Sequence, residues 1–219
     1  MRAYKLAQRR GEKHLSQIDK RLKKVIAEQG KCELVPQWES SPYESLVRAV
    51  AHQQLHGRAA QAILRRLAEK FAPQAFPTPQ QLAAADVDEL RALGFSAAKV
   101  ATIKGIAAAT LTGDVPTRDE ADLLTDEELI ARLVPLRGIG RWTVEMLLIF
   151  TLGRLDIMPV DDYGVKVGLQ VLHKLAEFPT KSYFARLTDR WQPYRSIGAW
   201  YLWRVADGLK AKKQATNVG

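Results

Sequence analysis

Apolar residues return every three or four positions over most of this chain, and strand-like alternation is scarce, so an all-α fold is expected. Between residues 43 and 71, Leu46, Val47, Val50 and Ala51 make one apolar face and Ala59, Ala60, Ile63, Leu64 and Leu67 another. The polar stretch His52-Gln53-Gln54-Leu55-His56-Gly57 parts them, which predicts helix, short interruption, helix. Phe76-Pro77-Thr78-Pro79 is a stop, with Thr78 as N-cap and proline at the first helical position of a helix that runs through Leu82, Val87, Leu90 and Leu93 to Gly94. A further helix is expected over 97–110, broken by Gly113-Asp114-Val115-Pro116. Thr125 then stands three residues before Glu128, a capping box at the head of Leu129, Leu133 and Val134. The acidic cluster between Asp119 and Glu128 reads as a solvated helix-start face.

The next segment is Leu136-Arg137-Gly138-Ile139-Gly140, followed by the apolar run from Trp142 to Phe150. Two glycines around one aliphatic residue let the backbone turn tightly with positive φ, with Ile139 pinning the turn to the core. Amides at the N-terminus of the helix beginning near Arg141 then suit a phosphate, without reading any base. An ordinary tight turn has the same pattern. After this helix comes Met158-Pro159-Val160-Asp161-Asp162-Tyr163, ahead of an apolar helix through Val165, Val167, Leu169 and Leu172. Asp161 is the expected N-cap, which leaves the second acid without a capping role.

Composition narrows the classes. The chain has 219 residues and is 47% hydrophobic, enough to bury a core, and Cys32 is its one cysteine. That excludes an internal disulfide, a four-cysteine iron–sulfur cluster and a multi-cysteine zinc site. No apolar run is long enough to span a membrane, and residues 1–5 lead into charge, so a cytoplasmic protein without membrane attachment is expected. The net charge of +9 sits at the ends. Residues 1–30 carry nine Lys/Arg against three Asp/Glu and residues 204–219 four against one, so the stretch between is neutral. The basic residues at 2–24 and from Lys210 to Lys213 suit either solubility or salt-sensitive DNA affinity.

Taken in order, the motifs resemble the helix-hairpin-helix DNA glycosylases, and within them the alkylbase (3-methyladenine) glycosylases of the AlkA type. The resemblance rests on residues 43–50 with Gln53-Gln54-Leu55, on residues 136–143, on Pro159-Val160-Asp161-Asp162-Tyr163, and on Arg190-Trp191-Gln192-Pro193-Tyr194-Arg195-Ser196 leading to Ala199-Trp200-Tyr201-Leu202-Trp203. It implies two helical subdomains, residues 42–154 and residues 1–41 plus 155–219, with a cleft between them. It implies base flipping and hydrolysis of the N-glycosidic bond in duplex DNA carrying 3-methyladenine or 7-methylguanine, with no metal or cofactor and as a monomer.

By the same resemblance Asp162 is the catalytic carboxylate, facing the positive charge that develops on the sugar. Trp142 stands where strand-cutting members have a nucleophilic lysine, so release of the base without backbone cleavage is expected. Trp142 and Trp203 match aromatic walls of the base pocket, suited to a cationic purine, and both are also ordinary core tryptophans by type. Met146 stands where well-known members have tyrosine, and Tyr43 and Trp38 are further pocket candidates. Gln53, Gln54 and Leu55 match the wedge that fills the hole left by a flipped nucleotide, with His52 and His56 beside it. Gly138, Ile139, Gly140, Arg141 and Thr143 match the phosphate-holding hairpin. Two alternatives stay open: a noncatalytic duplex-binding module, and a family glycosylase for uracil, hypoxanthine or ethenoadenine.

Overall fold

Side-chain caps set most of the helix starts. Ser41, Thr78, Ser96, Thr117, Thr125 and Thr180 each accept a bond from a backbone amide three residues on, and Asp86 and Asp19 do so with their carboxylates. Thr78, Thr117 and Thr125 complete capping boxes with Gln81, Glu120 and Glu128. In this computed structural model the described residues are 1–55 and 57–216, with side chains described through 211. His56 and the side chains of Lys212 and Lys213 lie outside the described residues. Among the described residues there are helices and no strands, and no helix is long and apolar enough to cross a membrane.

The chain divides into two units. One comprises residues 37–152 and holds α3 (Pro42–His52), α4 (Gly57–Lys70), α5 (Pro79–Ala84), α6 (Val87–Ala92), α7 (Ala97–Leu111), α8 (Arg118–Leu123), α9 (Asp126–Leu133) and α10 (Arg141–Phe150). α7 packs against α3, α5 and α6, and α10 against α3 and α9. Leu46, Val47 and Val50 of α3 are fully buried beside Leu67, Ile103, Leu129, Val144 and Leu148. Burying each such side chain is worth about 1.5–3 kcal/mol. The run expected to continue unbroken from Thr78 to Gly94 is two helices, because Asp86 bonds the amides of Asp88 and Glu89 and starts α6 afresh.

The other unit comprises residues 1–36 and 153–219, with α1 (Arg2–Ile18), α2 (Lys20–Gln29), α11 (Tyr163–His173), α12 (Lys181–Thr188), a single 3-10 turn at Asp189–Trp191 and α13 (Arg195–Thr216). α11 lies along α13 at a close approach that Gly168 permits, since a Cβ there would collide with the Leu202 carbonyl. Leu15, Leu22, Val165, Leu169, Phe184, Trp191 and Leu202 fill its interior.

Asp19 anchors this interior. At 1% exposure it caps α2 through Arg21 and Leu22 and accepts bonds from Arg190 Nη2 at 2.7 Å and Trp191 Nε1 at 3.2 Å. Burial raises its pKa, but the Leu22 amide, the Trp191 indole, the Arg190 charge and the Arg21 amide outweigh burial and hold the carboxyl below the ordinary Asp value. A lowered folded pKa gives stability that is present above the unfolded value, about 3.9, and is lost as pH falls through the folded value. Acid unfolding of Asp19→Asn is therefore expected to show less loss of stability below about pH 4 than the parent. Parallel melting curves on both sides of that pH check it; equal losses would remove Asp19 from the acid transition.

Candidate active site and nucleic-acid interface

In the 37–152 unit, α3 ends at His52 and the chain turns through Gln53-Gln54-Leu55 into α4. Gln54 sits at φ 55°, a left-handed conformation rare outside glycine, and both Gln54 and Leu55 are exposed. Lys99 of α7 braces the loop, its Nζ donating to the carbonyls of Ala51 at 2.9 Å and Gln53 at 2.6 Å. Burial lowers the Lys99 pKa. The pKa of His52 is also lowered, first by burial and then by the charges of Lys99 and Arg48. No sequence pattern marks Lys99, because its role comes from α7 lying against the C-terminal end of α3.

The Gln53 side chain joins this loop to the hairpin, its Nε2 donating to the Gly138 carbonyl at 3.2 Å. Of the two hairpin glycines only Gly138 has positive φ, at 79°; Gly140 sits at −95° as the N-cap of α10. At Gly140 no side chain caps the helix, a Cβ would meet nothing within 4 Å, and the Gly140 carbonyl accepts from the Thr143 amide at 2.9 Å. Gly138 is doubly constrained, because a Cβ there would stand 2.6 Å from Thr102 Oγ1. Ile139 is 4% exposed and pins the turn.

Two hairpin residues differ from expectation. The Arg141 guanidinium forks onto Glu127 of α9, with Nη2 at 2.6 Å from Oε1 and Nη1 at 3.2 Å from Oε2, while its Nε donates to the buried Glu145 at 3.1 Å. Hydrogen bonding to Arg141 lowers the Glu127 pKa, and Glu127, followed by Glu145, raises that of Arg141. Arg141 is thus a staple between α9 and α10, its charge matched by two carboxylates. Thr143 is 4% exposed, too buried to hold a backbone phosphate from outside.

The same unit contains an open cavity of about 940 Å³ between α3, α4 and α10. Trp142, Met146 and Phe150 line it, one residue from each turn of α10, and Gln53 and Gln54 border it. Trp142 is 41% exposed, so it is not a core tryptophan. Across the cavity Arg48 is held to Glu44 at 2.7 Å, and Thr151 Oγ1 donates to Ser45 Oγ at 2.9 Å. Tyr43 and Trp38, expected as pocket candidates, do not border this cavity. The Tyr43 hydroxyl donates to the Pro77 carbonyl at 3.1 Å with its ring buried against Phe76, and Trp38 lies under the Arg118 guanidinium.

In the other unit the two acids have exchanged their expected places. Pro159 to Asp162 close a turn, with the Asp162 amide donating to the Pro159 carbonyl at 3.0 Å, which leaves Val160 and Asp161 as the central turn residues. Asp162 is therefore the first residue able to cap α11, and its Oδ1 accepts from the Val165 amide at 2.8 Å. Asp161 points to solvent and pairs with Lys181 at 2.6 Å and Lys166 at 3.4 Å, Lys181 being the larger influence holding its pKa down. The expected capping role of Asp161 is overturned.

Asp162 has a second partner. Trp203 Nε1 of α13 donates to the same Oδ1 at 2.8 Å, so two donors from different helices fix the plane of this carboxylate. Gly164 makes the approach possible, since a Cβ there would lie 2.8 Å from Trp203 Cδ1 and 3.2 Å from Asp162 Oδ1. Tyr163, next to the acid, is 66% exposed. A carboxylate held in one orientation at a partly open position can stabilise a developing cation without reorganising.

Residues 47–193 match the family described as HhH-GPD superfamily base excision DNA repair protein. Among curated relatives, DNA-3-methyladenine glycosylase 1 of Schizosaccharomyces pombe is 45% identical over 198 residues, covering 90% of this chain and 87% of the relative. DNA-3-methyladenine glycosylase 2 of Escherichia coli is 30% identical over 171 residues, 74% of this chain and 56% of that protein. The structure of the Schizosaccharomyces pombe 3-methyladenine DNA glycosylase in complex with abasic DNA superposes with a TM-score of 0.82 at 45% identity, covering 89% of this chain and 95% of that one.

Proposed function

Since the chain belongs to the HhH-GPD superfamily of base excision DNA repair proteins, we propose that it is a monofunctional DNA glycosylase that removes alkylated purines of the 3-methyladenine and 7-methylguanine type from duplex DNA. The observation that carries this reading is the Asp162 carboxylate, oriented on one oxygen by the α11 amide of Val165 and the Trp203 indole. Departure of the base leaves oxocarbenium character on the sugar, and a preoriented carboxylate lowers the energy of that charge and orients the attacking water. N-alkylation makes the purine cationic and a good leaving group, so little acid assistance is needed.

The remaining roles follow from placement. Gln54, exposed and in a strained conformation, is the wedge that replaces the extruded nucleotide, with Gln53 and Leu55 flanking it. The uncapped N-terminus of α10 with Gly138 and Gly140 holds a backbone phosphate through amides. Trp142 and Met146 supply apolar surface for the base, and Trp203 keeps its N–H on Asp162. Trp142 offers no amine, so no Schiff base forms and the strand is left intact at an abasic site. Such a substrate places its work where the chromosome lies, which in a bacterium is the nucleoid within the cytoplasm.

A panel of duplexes with one defined lesion each, analysed for the released base, tests this. The expected result is free 3-methyladenine and 7-methylguanine, with strand breaks appearing only after alkali treatment. Tight duplex binding with no base released from any lesion would make the chain a noncatalytic binding module. Release confined to uracil, hypoxanthine or ethenoadenine would keep the chemistry and overturn the lesion class.

A further inference from the structure

α1 and α2 hold the nine Lys/Arg of residues 1–30 against three Asp/Glu, and the structure sorts them by face. At 3.6 residues per turn Arg2, Lys5, Arg9 and Lys13 fall in one stripe of α1, opposite Gln8, Gly11 and Leu15. The first four are exposed and the last three buried. α2 likewise turns Leu22 and Val25 inward and Lys20, Lys23 and Lys24 outward.

The three carboxylates of this stretch form no ion pair with the stripe, although Glu12 lines one pocket together with Lys5, Arg9 and Glu33. Asp19 is buried and engaged by Arg190, Trp191 and the α2 amides. Glu12 accepts from the Cys32 amide and from the Tyr201 hydroxyl, and Glu28 reaches only Lys24, at 3.9 Å. Among the described residues no ion pair engages Arg2, Lys5, Arg9, Lys13, Lys20 or Lys23. A row of like charges is self-repelling, and an aligned polyanion relieves it better than scattered small ions do. From Arg2 to Lys13 the stripe runs about 16 Å at 1.5 Å per residue. Over that length one strand of B-DNA presents about five phosphates.

We infer that α1 and α2 form an accessory surface that grips the phosphate backbone of duplex DNA, a role additional to the hairpin and the wedge loop. This rests on the reading that the chain works on DNA. Such contacts carry no sequence information. They lengthen residence on undamaged duplex and let the protein slide while lesions are sought, with a strength that falls steeply with salt.

The test is the triple variant Lys5→Gln, Arg9→Gln, Lys13→Gln, in which glutamine preserves helix propensity. Affinity for an undamaged duplex of roughly 30 base pairs is measured between about 50 and 200 mM salt. The slope of log K against log salt is expected to shrink by about 2.7, three phosphates at 0.9 each. Base release in single turnover at saturating enzyme stays within about twofold of the parent, since that step follows binding. Exchanging Lys5 and Lys13 for arginine keeps the parental slope, and matched circular dichroism shows that each variant folds.

An unchanged slope in the triple variant overturns the inference, leaving the stripe to solvent or to an acidic protein. A loss of saturated base release would also overturn it, by making the stripe part of the site itself. If the parent releases no base while the slope still falls as expected, the accessory surface stands and the glycosylase reading fails instead.

Discussion

Replacing Asp162 by asparagine is expected to slow single-turnover release of an alkylated base by about 10²–10³-fold, roughly 3–4 kcal/mol of transition-state stabilisation. Duplex affinity should remain within a few-fold of the parent. Asparagine is the informative substitution because its amide oxygen can still accept from the Val165 amide and the Trp203 indole. It is also as good an N-cap as aspartate, so α11 keeps its start and the melting temperature changes little. What disappears is the negative charge that the proposed mechanism sets against the sugar cation. Asp161→Asn serves as the neighbouring control, since it loosens only solvent-exposed pairs with Lys166 and Lys181, and such pairs contribute little. Turnover of Asp162→Asn within about tenfold of the parent, measured with released-base analysis, would take the catalytic role away from this residue.

Gly168→Ala is expected to destabilise the protein by about 3 kcal/mol, at the upper end of what one added methyl group does in a packed interior. The added carbon meets the backbone carbonyl of Leu202, which has no rotamer through which to retreat, so α11 and α13 must separate. That separation reaches the site. Asp162 heads α11 and Trp203 follows Leu202 on α13, so widening the helix pair lengthens the 2.8 Å bond that orients the carboxylate. Base release should therefore fall further than the loss of folded protein accounts for, at a temperature where the variant is still native. Gly208→Ala, with nothing within 4 Å of its Cβ position, is the matched control and should melt at or slightly above the parent temperature. If Gly168→Ala melts with the parent, the close approach of α11 and α13 does not hold the site together.

Local rules reached far into this fold where the signal was short in range. Thr78 and Thr125 start helices as read from their spacing to Pro79 and Glu128, whereas Gly57, expected in the interruption between two helices, is already the first residue of α4. They failed where two signals competed at adjacent positions. Asp161 and Asp162 are equal candidates by capping preference, and the choice was made by the turn that Pro159 opens, whose central residues cannot cap. Asp86, inside an apolar run of helical period, started a new helix because its side chain competed for the amides of Asp88 and Glu89. Gly140 matched the pattern of a positive-φ residue and has an extended conformation instead.

Residue type likewise announced chemistry without announcing partners. Arg141, at the head of a helix beside two glycines, has the character of a phosphate ligand until Glu127 and Glu145 are seen around it. Tyr43 and Trp38 are aromatic in the right stretch of chain, yet their rings serve Phe76, Pro77 and Arg118. Lys99 is one lysine among many until α7 brings its ammonium to the end of α3.

From its order of residues alone, this protein was determined to be helical, to turn tightly at the Gly138 hairpin, to break at Gln53-Gln54-Leu55, and to hold a single cysteine. These follow from backbone propensity, capping and side-chain inventory, which act within a few residues. The tertiary structure alone decided that Asp162 meets Trp203, that Gln53 meets Gly138, and that four basic side chains of α1 share an exposed stripe engaged by no ion pair among the described residues. Each of these depends on how far apart two helices pack or which face one of them buries, and those distances are set by volumes summed over the whole interior.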